Sequence, residues 1–116
     1  MTKRINYFQI AEHFNLIEFQ CPCCHRVLLN PLLVSRLEIL RQKISKPIII
    51  NSGFRCQKHN EEVGGVTNSK HKIGQAADVR VIESEQSEFC ETALETGFTK
   101  AIAYRERGFV HLEIGA

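Results

Sequence analysis

His71 and Asp78 lie seven residues apart in Ser69-Lys70-His71-Lys72-Ile73-Gly74-Gln75-Ala76-Ala77-Asp78. They are answered near the C-terminus by His111, in Phe109-Val110-His111-Leu112-Glu113. Two imidazole nitrogens and one carboxylate oxygen make a ligand set for a single zinc ion with its fourth position open. An open zinc is a hydrolytic centre rather than a structural staple, because it acidifies water and polarises a carbonyl. Asp78 sits in an apolar run, where an unpaired carboxylate is costly, so it needs a cation or several donors. Gly74 permits the turn that returns His71 toward Asp78, and Ala76 and Ala77 leave space beside it. Glu113, two residues after His111 in a strand, falls on the same face. The competing reading makes Asp78 a loop cap and the histidines ordinary polar residues. It would win for any one of the three alone, but not for the trio.

The elements that must position these groups are legible from caps and periodicity. Residues 5–20 carry Phe14, Leu16, Ile17 and Phe19 and are expected to pack onto the body. Asn30 as N-cap and Pro31 at the first helical position open a helix. Leu33, Leu37, Leu40 and Ile44 give it one apolar stripe, and Ser45-Lys46-Pro47 stops it. Ile48-Ile49-Ile50 reads as a short buried strand. Asn51 to Gly74 reads as a long loop with one helical turn around His59 to Val63, and loops of that length are usually functional. Gln75 to Ile82 reads as a strand with Ala76, Asp78 and Arg80 on one face and Ala77, Val79 and Val81 on the other. Ser84 is expected to cap a second helix with Phe89, Cys90, Ala93 and Leu94 inward, ended by Gly97. Ala101–Tyr104 and Phe109–Ile114 close an antiparallel hairpin around Arg105-Glu106-Arg107-Gly108. The fold class is α+β: a small, mostly antiparallel sheet with two main helices on one side.

The 116 residues suit one compact domain and leave no room for a second core. A net charge of +2, with Lys and Arg scattered, gives no support to a nucleic-acid partner. No apolar run approaches the ~20 residues of a membrane span. The N-terminal residues lack the continuous apolar stretch of a secretory signal, so the expectation is synthesis in the cytoplasm. Five cysteines without such a signal point to free thiols rather than a disulfide framework.

Ser52-Gly53-Phe54-Arg55, His59-Asn60, Val63-Gly64-Gly65, Asn68-Ser69-Lys70-His71, Gly74-Gln75-Ala76-Ala77-Asp78 and Phe109-Val110-His111 together resemble the zinc D-Ala-D-Ala carboxypeptidases and peptidoglycan endopeptidases. The likeness runs from about Phe14 to Ile114 and is closest to the compact, single-domain members associated with phages and bacteria. It implies the fold shared with the signalling domain of hedgehog proteins, with His71, Asp78 and His111 as zinc ligands. It further implies that Arg55 holds a carboxylate or carbonyl of the peptide stem, a role that suits its planar fork of donors. Ser69 would bond to substrate or orient its loop. The implied partner is a peptidoglycan peptide, reached after phage-type release. Many family members carry an acid three residues before the last histidine ligand, or a histidine two before it. Here those positions are Gly108 and Phe109. The general base must then come from elsewhere, with Glu113 the first candidate and Glu106 the second. Glu113 could equally orient a ligand histidine. The missing acid also keeps open a binding module with vestigial chemistry, and a hydrolase with a non-wall substrate is a third reading.

Cys21, Cys23, Cys24 and His25 invite a zinc-knuckle reading with Cys56 as the distant partner. The usual unit, however, is two separated pairs, so local packing is the expectation. Cys90 reads as a small core residue. A Cys56–His59 nucleophile pair lacks an orienting third group.

Overall fold

The structure is a computed structural model that describes residues 8–115. Residues 5–7 of the expected packing segment lie outside the described residues. From residue 8 the chain forms a small hairpin, β1 (Gln9–Ala11) and β2 (Phe14–Asn15), and a 3-10 turn, Leu16–Phe19. Asn15 caps that turn through a reciprocal capping box with Glu18. Phe14 and Phe19 are buried, so the segment does pack onto the body.

Helix α1 (Pro31–Ile44) starts where Asn30 and Pro31 require. The Asn30 side chain accepts the Leu32 N–H at 2.9 Å. Leu33, Leu37 and Leu40 are fully buried. Next come β3 (Ile50–Ser52), a short helix α2 (Gln57–Glu62), a 3-10 turn (Lys70–Ile73) and β4 (Ala76–Arg80). Helix α3 (Glu83–Thr96) and the hairpin β5 (Lys100–Tyr104) and β6 (Phe109–Glu113) complete the chain. The main sheet has the order β3-β4-β6-β5 and is antiparallel throughout, which makes the domain α+β.

The sheet divides the chemistry. Ala77, Val79, Val110 and Leu112 face α1 and α3 and join Leu37, Leu40, Phe89 and Ala93 in one core. The alternate residues Asp78, His111, Glu113 and Ile102 face the other way, as the strand period demands, and line a cleft.

Three expectations need correction. The strand after Pro47 is Ile50–Ser52, not residues 48–50, and it lies at a sheet edge. Ile48 is buried but precedes it, the pairing with β4 starting at Ile50 opposite Val79 with one further hydrogen bond from Arg80 N–H to the Ile49 carbonyl at 3.0 Å. Helix α3 begins at Glu83, before Ser84, with Ile82 at the cap position and no side-chain cap. Glu83 and Glu85 in its first turn instead complement the helix dipole. Its buried residues are Gln86, Phe89, Ala93 and Thr96, with Cys90 partly buried and Leu94 exposed. Spacings of three, four and three residues follow one stripe, and Leu94 falls beside it.

Gly74 is the tightest backbone requirement near the cleft. It adopts a φ of +72°, and an added Cβ would lie 2.2 Å from the Leu28 carbonyl oxygen. Gly108 has a similar φ of +71° but open space around it. Gly108→Ala should therefore cost about 1–2 kcal/mol, the left-handed penalty alone. Gly74→Ala should cost clearly more, and urea unfolding of the two variants side by side measures the difference.

Candidate metal centre

Three elements bring three side chains together. Asp78 in β4 and His111 in β6 are directly opposed across the antiparallel ladder. His71 arrives from the 3-10 turn between Ser69 and Gly74. Ser69 caps that turn, its hydroxyl accepting the His71 N–H at 3.2 Å, and Gly74 closes it. One oxygen of Asp78 then lies 2.8 Å from His111 Nδ1 and 3.2 Å from His71 Nε2. One ligand atom from each of the three residues lies within 4.8 Å of the others.

The tautomers that the outer contacts favour suit the three residues to a cation. His71 Nδ1 is 2.7 Å from the Gly53 carbonyl, which only accepts, so Nδ1 carries the proton. In the neutral ring Nε2 then presents a lone pair to the Asp78 oxygen. His111 Nε2 lies 3.3 Å from Glu113 Oε2, so a neutral ring donating there also turns a lone pair, on Nδ1, toward Asp78. Two lone pairs and a carboxylate oxygen converging on one point repel one another unless a cation sits among them. The outer hydrogen bonds to a carbonyl and a carboxylate are the kind that fix metal-ligand histidines. The donor set fits a metal ion of the zinc type.

Asp78 is buried, at 6% exposure. Its second oxygen accepts from Arg55 Nη2 at 3.1 Å. Burial pushes its carboxyl up, but when protons rather than a metal occupy the two rings, hydrogen bonds from His111 and His71, and their charge, hold it well below the usual carboxylate range. Burial pulls His111 down, yet Asp78 and then Glu113 hold it above the ordinary histidine value.

Arg55 lines the cleft with its guanidinium largely spoken for. Nε donates to Ser52 Oγ at 3.3 Å, Nη1 to Asn60 Oδ1 at 3.4 Å, and Nη2 to Asp78. A guanidinium has five N–H donors, so two remain for a ligand. Glu113 and Ser69 also line the cleft, which encloses about 830 Å³. Glu106 is not brought to it. That residue is exposed in the 3-10 turn between β5 and β6 and borders a separate depression with Arg80 and Glu83. Its candidacy as base is therefore withdrawn. Sequence reasoning assigned no role to Asn60, which is 1% exposed, accepts from Arg55 and donates to the Val66 carbonyl at 2.8 Å. The Gly53 carbonyl was likewise unforeseen. A backbone group has no sequence signal, although an added Cβ at Gly53 would lie 2.6 Å from the Phe19 Cα.

A family profile described as peptidase M15 matches residues 7–113, nearly the whole chain. The chain belongs to the peptidase M15 family. A curated relative, the zinc D-Ala-D-Ala carboxypeptidase of Streptomyces albus G, is 35% identical over 68 residues. That stretch is 58% of this chain and 27% of the relative, so the peptidase M15 chain described here matches only about a quarter of that protein.

The pKa directions give a pH signature for chelated protein. His111, raised when folded, contributes stability that is complete below about pH 6.5 and lost as pH climbs through its folded value. Asp78, lowered when folded, contributes above about pH 4 and fails only as pH falls through its folded value. Thermal melts in chelator should therefore weaken as the pH rises above about 6.5. With zinc added the trend should reverse, because the ion competes with protons for the imidazoles.

Proposed function

We propose that this chain is a zinc peptidase acting on the peptide stems or cross-links of bacterial peptidoglycan. The observation that carries the reading is the convergence of His71 Nε2, His111 Nδ1 and one Asp78 oxygen at the floor of an open cleft. His71, Asp78 and His111 would hold the ion. When bound, zinc supplies Lewis acidity, bringing the pKa of water toward ~7 and polarising a carbonyl.

The rest falls to the chain itself. Arg55 clamps the outer oxygen of Asp78 and keeps two N–H donors for a substrate carbonyl or carboxylate. Lys70, Lys100 and Arg107 also border the cleft, a cationic rim that suits a peptide ending in a free carboxylate. Tyr104 and Phe109 stack at 4.6 Å with Arg107 over Phe109, giving the same wall an apolar platform.

Glu113 is the proton acceptor in this reading. Of the cleft's carboxylates, Asp78 belongs to the metal centre and Glu18 accepts the Asn15 N–H at 2.6 Å, while Glu113 lies beside His111 with Lys100 Nζ 3.8 Å away. A second role has its own observation, since Glu113 Oε2 sits 3.3 Å from His111 Nε2 and fixes that ring's tautomer. Glu113→Gln separates the two, because the amide oxygen still accepts from His111 but is not basic. It should keep stoichiometric zinc and lose about 10²–10⁴-fold in turnover. A variant within a few-fold of wild type leaves Glu113 only the orienting role.

His71→Ala should lose both the ion and cleavage of purified peptidoglycan. Mass analysis of fragments from defined muropeptides reads the bond that is cut. Intact walls despite bound zinc would favour a binding module instead.

A further inference from the structure

The cysteines near the N-terminal side of the cleft are not used by the centre described above. Cys21, Cys24 and Cys56 are free thiols whose sulfur atoms lie within 4.8 Å of one another. Cys21 and Cys56 Sγ are 3.6 Å apart. Zinc–sulfur bonds of ~2.3 Å in a tetrahedron set neighbouring sulfurs ~3.8 Å apart. A disulfide would need about 2 Å between two of them and would leave the third sulfur without a purpose.

The backbone is shaped for this arrangement. Cys21 and Cys24 have the two-residue spacing of a metal-binding turn, with Pro22 inside it. The turn is closed by hydrogen bonds from His25 N–H to the Cys21 carbonyl and from Cys21 N–H to the Arg26 carbonyl, each 2.8 Å. His25 adopts a φ of +60°, a left-handed position rarely taken without cause by a non-glycine residue. The third sulfur comes from the other side of the cluster, where Cys56 caps α2 and accepts the His59 N–H at 3.4 Å.

One of the three sulfurs also sits among backbone donors. Burial pushes the Cys21 thiol up, but N–H groups of Cys56, Cys24 and Cys23 and the Cys56 thiol bring it down to about 7. Backbone donors aimed at sulfur favour the thiolate, the form that binds metal.

We propose that Cys21, Cys24 and Cys56 bind a second zinc ion, separate from the histidine–aspartate centre, with solvent in its fourth position and three thiolates whose charge quenches its acidity, so that it ties segments together rather than activating water. Each ligating thiol gives up its proton to solvent as the metal enters. The ion would pin the turn after Phe19 to the segment that carries Arg55. That segment is already tied by Phe54 N–H to the Phe19 carbonyl at 2.8 Å and by Arg55 N–H to the His71 carbonyl at 3.1 Å. The cysteine cluster thus fixes the entry to the cleft without touching the reacting groups.

The test is metal content of the full chain, purified under reducing conditions with zinc present. Wild type should carry two zinc ions per chain, and His71→Ala and Cys24→Ser one each. Cobalt loaded into His71→Ala should give an intense ultraviolet thiolate-to-cobalt charge-transfer band, absent from Cys24→Ser. Titrating unaltered wild type with a mercurial should release one zinc as the thiols are capped, which covers a Cys24→Ser chain that fails to fold. If His71→Ala binds no zinc and shows no such band, the proposal is overturned. It is equally overturned if alkylation and mass analysis find Cys21 joined to Cys56 in the zinc-loaded protein. Zinc retained in His71→Ala but absent from Cys24→Ser, with wild type holding a single ion, would uphold this site and sink the histidine–aspartate one.

Discussion

A carboxylate has been placed where water barely reaches it, and the cleft side of the sheet is organised around that fact. Removing an ionised carboxylate from solvent costs several kcal/mol unless partners replace the lost hydration. Asp78 has those partners on both oxygens: Arg55 on one, and two imidazole nitrogens on the other. The guanidinium satisfies its side fully. The imidazole side is satisfied only by a shared cation or proton, because both rings are held from behind by acceptors, the Gly53 carbonyl and Glu113. That unequal satisfaction is what suits the buried aspartate to a metal ion.

The architecture delivers this at little expense. Antiparallel pairing sets Asp78 directly opposite His111, and the two-residue strand period sends Ala77, Val79, Val110 and Leu112 to the opposite face. The same strands therefore build the core with one set of side chains and the centre with the other. Only His71 comes from outside the sheet, and its turn is held at both ends, by Ser69 and by the left-handed Gly74 lodged against Leu28. The segment carrying Arg55 is hydrogen-bonded to both Phe19 and His71, so the Arg55 wall of the cleft and the turn that carries His71 are one unit.

Much of this was readable from residue types. Asn30, Pro31 and the leucine stripe specify α1 through local rules, and Gly97 and Gly108 mark left-handed turns. The trio of His71, Asp78 and His111 stood out because an aspartate in an apolar strand demands an explanation. What escaped depended on tertiary context. The run of isoleucines signalled burial, but the register of β3 on β4, Ile50 opposite Val79, is a tertiary fact. The alternation that set Glu113 beside His111 was visible, whereas the exclusion of Glu106 required the course of the turn between β5 and β6. Asn60 and the Gly53 carbonyl act through contacts that join distant parts of the chain. The cysteine cluster looked like local packing because it lacks the second pair of the usual zinc unit, and only the fold shows Cys56 brought against Cys21 and Cys24.

The central claim is that one ion is held jointly by two imidazoles and a buried carboxylate, with room left for a ligand. Anomalous diffraction at the zinc edge, from crystals grown with zinc, tests it most directly. The account predicts a peak bonded to His71 Nε2, His111 Nδ1 and Asp78 at ~2.0–2.2 Å, with a non-protein ligand on the cleft side. No peak between those three residues, or a fourth protein ligand closing the site, would contradict it.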